Sequence, residues 1–340
     1  MTTSSRIAIV GATGMVGTML LTLLNERRFP VDALYLLASE RSAGQTLSFR
    51  GQSLTVQPVS RFDFTQTDLC FFAAGEQISA DYAEKAAAAG NLVIDKSSYF
   101  RMHPEVPLVV PEVNPEALAL CPKNIIASPN CSTIPVVMAL RPLHKMAGIT
   151  RINVATYQSV SGSGQEGVTE LAEQTALLLN GQPVIPRHYV QQIAFNILPL
   201  IDVLEENGYS REEMKLMHET GKILNDPSIV VNATAARVPV FYGHSAAVHL
   251  ETRDKLPITE ALALLASAPG VRLIQPPAFP TPVHDAAEQD DVVVGRVRED
   301  PSHPHGISLW VVGDNIRKGA ALNAIQIAET ILSKKRKEKK

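Results

Sequence analysis

Short, continuous apolar runs alternate with helix-period stretches over the first 130 residues. Ile7-Ala8-Ile9-Val10 is the first run and Ala33 to Ala38 the second; Leu69 to Ala74, Leu92 to Asp95, Leu108 to Val113 and Asn124 to Ala127 follow. Runs of this length, apolar at odd and even positions alike, suit strands buried on both faces. Between them Met19, Leu20, Leu21, Leu23 and Leu24 recur at helical spacing, and Asp81 to Ala89 is rich in helix formers. Strand and helix in alternation predict a mostly parallel sheet covered on both faces.

Beyond residue 150 the pattern changes. Arg151 to Val160 is one long β pattern, broken by Ser161-Gly162-Ser163-Gly164 before a helix over Gly167 to Leu179. Further β patterns at Arg237 to Phe241, Ala246 to Glu251, Asp291 to Val297 and Ile307 to Val312 lack a helix between each pair, which predicts an antiparallel or mixed sheet. The chain therefore divides into an α/β domain with a doubly wound, mostly parallel sheet, 1–130, and an α+β domain, 131–317. A last helix, 318–333, carries Ala321, Leu322, Ile325 and Ala328 at helical spacing and is expected to pack back on the first domain. The lysine-rich 334–340 reads as a solvated, disordered tail.

A formal net charge of −3 gives no electrostatic reason to expect nucleic acid, and no apolar run is long enough to span a bilayer. The start runs into a strand pattern with no signal-peptide core. Cys70, Cys121 and Cys131 form an odd set without metal-ligand spacing, so no metal is expected and a reducing cytoplasm fits best.

The first strand runs into Gly11-Ala12-Thr13-Gly14-Met15-Val16-Gly17 and then a helix. Small residues in that strand-to-helix turn let backbone approach a pyrophosphate at the helix N-terminus. The second strand ends in Ser39-Glu40-Arg41-Ser42, where such folds meet the adenosine ribose. Glu40 alone would suggest NAD; Arg41, flanked by two hydroxyls, offers a partner for the 2′-phosphate of NADP, the cofactor favoured here. Gly75 closes one later strand and Asp95-Lys96-Ser97-Ser98 another, at the sheet edge that holds ligands in doubly wound folds, although Ser97 and Ser98 also suit a plain strand end.

Ser128-Pro129-Asn130-Cys131-Ser132-Thr133 places one cysteine between a short strand and the helical pattern Val136 to Leu143, with Asn130 a fitting N-cap. A lone cysteine is more often a small buried hydrophobe. In a helix's first turn, however, unpaired N–H groups favour thiolate and supply oxyanion donors. His244, between two β patterns and directly after Gly243, is the histidine best placed to deprotonate such a thiol.

Six segments in the same order carry a resemblance: Gly11 to Gly17, Ser128 to Thr133, Tyr157-Gln158-Ser159-Val160-Ser161-Gly162, Glu212-Glu213-Met214-Lys215, Arg237 to Val240 with Gly243-His244, and Asp314-Asn315-Ile316-Arg317-Lys318-Gly319-Ala320-Ala321. From about Arg6 to Ile331 the chain resembles aspartate-β-semialdehyde dehydrogenase. The resemblance implies a two-domain, glyceraldehyde-3-phosphate-dehydrogenase-like fold, with 1–130 as a Rossmann-type dinucleotide-binding domain and 131–317 as the catalytic and oligomerisation domain, and a homodimer or homotetramer. It implies an NADP-dependent reduction of β-aspartyl phosphate, with release of phosphate, on the way to lysine (through diaminopimelate), threonine and methionine. By position it makes Cys131 the nucleophile, His244 the acid/base and Gln158 the holder of the acyl group. Glu212 then meets the substrate ammonium, Arg237 its carboxylate, and Arg101 with Lys215 its phosphate; Ser161, Gly162 and Asn315 join the cofactor residues. Lys96, Leu200 and Ala246 depart from the family's usual asparagine, glutamine and glutamate. N-acetyl-γ-glutamyl-phosphate reductase shares this logic, and Glu212 separates the two. A catalytically silent paralogue is the third reading, against which stand Cys131, Gln158, Arg237 and His244.

Overall fold

The computed structural model describes residues 5–338, with side chains through 334. These form two compact units: the chain up to Pro129 together with the chain from Ala320 onward, and Asn130–Gly319.

The first unit is built on a seven-stranded sheet. Its strands are β1 (Ser5–Val10), β2 (Val31–Ala38), β3 (Thr46–Phe49), β4 (Gln52–Pro58), β5 (Leu69–Phe72), β6 (Leu92–Asp95) and β7 (Ile125–Ala127), in the order β3-β4-β2-β1-β5-β6-β7. All pairings are parallel except β3 with β4. Helices α1 (Met15–Glu26), α2 (Glu76–Ala88) and the last helix, Leu322–Glu338, belong to the same unit. Ile7, Ile9, Phe71 and Ile94 from the strands meet Leu20 and Leu24 of α1 and Leu322 and Ile325 of the last helix in one core. The sheet's order reverses between β1 and β5, so their carboxyl ends border the crevice where such sheets take ligands.

Two features of this unit differ from the sequence expectation. The hairpin β3–β4 was not anticipated; its turn is Arg50-Gly51, both at positive φ, the type I′ geometry that matches strand twist. The run Leu108 to Val113 does not form a strand: Leu108 makes one parallel bridge to Ala127. Pro107 and Pro111 lack ladder donors, and the Asn114 side chain takes over by accepting from the Val110 N–H and donating to the Leu108 carbonyl.

The second unit holds a six-stranded mixed sheet. Its strands are β8 (Ile149–Gln158), β9 (Val230–Arg237), β10 (His244–Thr252), β11 (Val271–Ile274), β12 (Val292–Glu299) and β13 (Gly306–Gly313), ordered β11-β12-β13-β10-β8-β9. Helices α3 (Thr133–Ala147), α5 (Arg211–Leu224) and α6 (Ile258–Ser267) pack on it, and α4 (Gln165–Leu179) follows the turn after β8. β9 ends at Arg237, where a β pattern was expected to begin: Val240 N–H bonds back to the Val238 carbonyl, which turns the chain out of the sheet. His244 likewise opens β10 rather than lying in a loop.

A π turn over Arg317–Ala321 precedes the last helix, α7 (Leu322–Glu338), which replaces the expected 318–333. Its backbone continues to Glu338, so 334–338 is helical where charge density suggested an unstructured tail; Lys339 and Lys340 lie outside the described residues.

Candidate active site

Strand register in the second unit assembles most of the predicted site. Gln158, the last residue of β8, pairs with Arg237, the last of parallel β9. On its other side β8 runs antiparallel to β10, with Tyr157 opposite Ser245, which brings Gln158 level with His244. Side chains at level positions project to the same face. That face is the buried one, since Val154, Thr156 and Gln158 are buried while Asn153, Ala155 and Tyr157 are partly exposed.

Cys131 arrives at the same place from the start of α3. The Asn130 carbonyl accepts from the N–H groups of Thr133 and Ile134, both at 3.1 Å, and its Oδ1 accepts from the Ser132 N–H at 2.8 Å. Asn130 thus caps the helix in function, although the regular turn begins at Thr133. The thiol sits in the turn that leads into α3, two residues before Thr133, where the helix's partial positive charge favours thiolate. Cys131 Sγ lies 3.4 Å from His244 Nε2, and His244 is 3 % exposed. On its other side, His244 Nδ1 is 3.1 Å from both the backbone N and the Oγ of Ser159. Gly319 backs the nucleophile: a Cβ there would stand 3.1 Å from Cys131 Cβ, so a side chain would displace it.

Glu212, on the first turn of α5, is buried and fully engaged. Asn130 Nδ2 donates to its two oxygens at 3.0 and 3.1 Å, Gln158 Nε2 donates at 3.1 Å, and Lys215 Nζ stands at 3.5 Å. Lys215 is also paired with Asp202 at 2.8 Å. Burial alone would raise the Asp202 pKa, but the hydrogen bond and charge of Lys215 hold it below the ordinary carboxylate range. The Arg237 guanidinium donates to the Ser159 carbonyl at 2.8 Å and borders Gly162, where a Cβ would come within 2.7 Å of Nη1 and 3.1 Å of His244 Nε2. Ser161 and Asn315 are joined by their side chains, and Asn315 Oδ1 also accepts from Gly243 N–H and Ser159 Oγ.

In the first unit the glycine turn has the demands that the spacing implied. Gly11 has φ +87° and a Cβ there would stand 2.6 Å from the Ala73 carbonyl; at Gly17 it would stand 2.2 Å from the Gly11 carbonyl. Gly14, by contrast, meets only the Gly11 carbonyl at 3.5 Å, and as N-cap of α1 it provides no side-chain cap. The Gly14 N–H itself donates to the Gly11 carbonyl at 3.1 Å, so it is the first-turn N–H groups at Met15 and Val16, beside Thr13, that suit an anionic ligand such as a pyrophosphate. Gly75 likewise starts α2 with no capping side chain. At the end of β2, Glu40 is occupied by Ser60 at 2.8 Å and Arg61 at 3.4 Å, while Arg41 is exposed and, among the described residues, has no hydrogen-bond or ion-pair partner. Ser39 is exposed beside it and Ser42 half-buried.

Arg101 is buried and donates to the backbone carbonyls of Ser128 at 3.1 Å and Lys96 at 2.8 Å, tying two loops at the sheet's edge. Ser97 gives its hydroxyl to Asp95 at 2.7 Å, and Ser98 bonds Glu76, so both close the strand end. Burial pushes the Asp95 pKa up, against the pull of Ser97, Ser79 and Arg101. Of the other departures, Ala246 is buried on β10 and Leu200 is 40 % exposed.

Three residues of the site were not anticipated in these roles. Asn130 was read only as a cap, yet its amide also holds Glu212. Glu219 accepts the Asn130 N–H at 2.7 Å from within α5, and its spacing from Glu212 and Lys215, seven and four residues, puts all three on one helical face, a signal present in the sequence. Ser159 had no signal, because its role depends on which ring nitrogen of His244 it meets.

The sequence matches the domain described as "Semialdehyde dehydrogenase, NAD binding domain" over residues 6–121 and "Semialdehyde dehydrogenase, dimerisation domain" over 140–318. It is 55% identical to "Aspartate-semialdehyde dehydrogenase 2" of Vibrio cholerae across 96% of this chain and 97% of that protein. The chain belongs to the aspartate-semialdehyde dehydrogenase family. The Aquifex aeolicus member is 49% identical over 96% of this chain and 98% of its own. Among solved structures, a Vibrio cholerae aspartate semialdehyde dehydrogenase II complexed with ASA matches with a TM-score of 0.95 at 54% identity, covering 97% of this chain and 98% of that one. A Candida albicans member solved with NADP matches at 0.78 and 26% identity, covering 97% and 98%.

Proposed function

We propose that this chain reduces β-aspartyl phosphate to aspartate-β-semialdehyde and phosphate, with Cys131 as nucleophile, His244 as acid/base and NADP as cofactor. The observation that carries it is the 3.4 Å approach of Cys131 Sγ to His244 Nε2 at a helix start. The Cys131 thiolate attacks the acyl carbon, the bond from that carbon to the phosphate oxygen breaks, and a thioester remains on the sulfur. Bound NADPH supplies a hydride to that carbon. His244 then exchanges a proton with the resulting oxygen through Nε2, and breakage of the carbon–sulfur bond frees the aldehyde and restores the thiolate.

Glu212 receives the substrate ammonium. A carboxylate already fixed by Asn130, Gln158 and Lys215 loses little freedom on binding, so its charge is well placed to discriminate. Arg237 takes the carboxylate in the bidentate manner open to a guanidinium. Lys215 and Arg101 take the phosphate, and Gln158 steadies the acyl oxygen. On the cofactor side Gly11, Thr13, Gly14, Met15, Val16 and Gly17 cradle the pyrophosphate, with Gly75, Ser161, Gly162 and Asn315 beside the rest. Arg41, with Ser39 and Ser42, reads the 2′-phosphate, a choice favoured by Glu40 being occupied elsewhere. The enzyme acts as a homo-oligomer in the cytoplasm, on the pathway to lysine, threonine and methionine.

The test is turnover of β-aspartyl phosphate against N-acetyl-γ-glutamyl phosphate with NADPH. The acetylated compound leaves the buried Glu212 without a cationic partner, which favours β-aspartyl phosphate by about tenfold or more. Glu212→Gln should narrow that gap, and faster reduction of the acetylated compound would overturn the assignment. Arg41→Ala should lower the NADP over NAD ratio of kcat/KM; a ratio near one in the unmodified protein would return the choice to Glu40.

A further inference from the structure

The two nitrogens of His244 meet chemically different partners. Nε2 faces Cys131 Sγ at 3.4 Å, while Nδ1 faces Ser159 twice, 3.1 Å from its backbone N and 3.1 Å from its Oγ. A backbone N–H can only donate, so the Nδ1 it meets presents a lone pair. A neutral imidazole in that setting carries its proton on Nε2, aimed at the sulfur. The Nε2 lone pair is then absent, and His244 at rest is a donor to the Cys131 thiolate, not a base awaiting a thiol proton.

Proton exchange with a substrate oxygen needs the other forms of the ring. As imidazolium, His244 gives up its Nε2 proton: the O–H bond forms, the Nε2–H bond breaks, and the neutral ring that remains holds its proton on Nδ1. The reverse step starts from that Nδ1–H form. In the reductive direction the hemithioacetal O–H returns its proton to Nε2 as the carbon–sulfur bond breaks, so this exchange consumes no net proton; the one consumed overall ends on the released phosphate. Both working forms place a hydrogen on Nδ1, which the Ser159 N–H opposes. The Ser159 hydroxyl can accept it. Its own hydrogen is directed to Asn315 Oδ1 at 3.1 Å, which turns an oxygen lone pair towards Nδ1.

We propose that Ser159 is a positioning residue that governs which nitrogen of His244 carries the proton: its backbone N–H holds the resting Nε2–H form, and its hydroxyl, oriented by Asn315, admits the Nδ1–H forms used in proton transfer. Charged groups facing His244 include Cys131, from the start of α3, and Arg237, from the end of β9, which flanks Gly162 beside the imidazole ring. The thiolate favours imidazolium and the guanidinium disfavours it. Its direct uncharged partner is Ser159, through which Ser161 and Asn315 are linked to it, and Gln158 lies level with it on β8. The inference rests on the acid/base reading of His244, but its first test does not.

That test is nitrogen-15 spectroscopy of histidine-labelled full-length protein, with the His244 signals assigned by their loss in His244→Asn. At neutral pH the unmodified protein should show an Nε2–H imidazole; an Nδ1–H imidazole would overturn the proposal, whatever His244 does in catalysis. The second test is Ser159→Ala, which keeps the backbone N–H and removes the hydroxyl. It should lower the pH at which His244 titrates and move the matching limb of the kcat profile in the same direction. Turnover should fall about tenfold, within the range that one proton-transfer group commands, with KM little changed. Ser159→Thr, which restores a hydroxyl, should recover the limb. An unmoved titration and limb in Ser159→Ala would overturn the proposal, as would a loss shared equally between kcat and KM. Full turnover by His244→Asn would instead remove the acid/base reading while leaving the spectroscopic result intact.

Discussion

Burial separates the three cysteines of the chain. Cys70 is wholly buried on β5, 3.4 Å from Asn91 Oδ1, and burial pushes its thiol up to about 12. Cys121 is also raised by burial. Cys131 has a helix N-terminus and an imidazole N–H beside it, so brief iodoacetamide treatment at neutral pH should label it alone and abolish turnover. Substrate should protect it, and peptide mapping that found Cys70 or Cys121 as the protected site would sink the assignment. Asp202 provides a pH-dependent case. Its pKa is depressed when folded, so the pairing with Lys215 contributes stability above the unfolded carboxylate value of about 3.9 and loses it as pH falls through the folded value. Asp202→Asn should therefore unfold at lower denaturant than the parent at pH 7, and the two midpoints should converge once pH falls below the depressed folded-state pKa of Asp202. A constant difference across that range would mean that Asp202 acts through packing instead of charge.

At the scale of elements, the glycine turn of β1–α1 allows a sharp division of labour. A Cβ at Gly17 would drive into the Gly11 carbonyl and the Ala12 backbone, whereas at Gly14 it would meet ordinary contact. Gly17→Ala should therefore destabilise the fold by about 1–3 kcal/mol, the usual cost of overpacking. Gly14→Ala should fold normally and instead raise KM for the cofactor, because its methyl occupies the backbone's approach to the pyrophosphate. Calorimetry with cofactor titration checks both; equal losses of stability would contradict the division. This turn was legible in the sequence because its spacing is local. Cys131 at a helix start was legible for the same reason, and so was the alternation that gave the parallel sheet. What depended on partners distant in sequence was not. The prolines at 107 and 111 interrupt a run that is apolar enough for a strand, and Asn114 satisfies the backbone instead. Arg50-Gly51 between alternating residues carries a hairpin signal, but neither flank is strongly apolar, so the pattern around it is weak. Arg237 and His244 stand out in the sequence as site candidates, but only register explains why the end of one strand and the start of another bring them level with Gln158.

At the scale of the whole molecule, the second unit carries apolar surface that a lone chain leaves in water. Residues 183–204 have no helix or strand of their own, yet they expose Ile185 at 81%, Val190 at 90% and Phe195 at 66%. A structureless segment of this length with bare apolar side chains is costly unless something covers it. The outer face of the same unit's sheet is only partly covered, with Tyr157 and Trp310 half-buried in ring contact at 5.5 Å and Val230 61% exposed. The match of residues 140–318 to a dimerisation domain makes a second copy of the chain the fitting occupant. Light scattering of the purified protein should then report twice the chain mass, and Val190→Asp with Phe195→Asp should shift it to monomer by placing charge where desolvation is required. The same segment is tied to the site: Leu198 exchanges backbone hydrogen bonds with Arg237 at 3.0 and 2.8 Å. Loosening it should therefore raise KM for β-aspartyl phosphate through Arg237 while leaving alkylation of Cys131 unchanged. A double variant that stays dimeric with normal KM would place the interface elsewhere, and the outer sheet face would then be the surface to alter, through Val230→Asp.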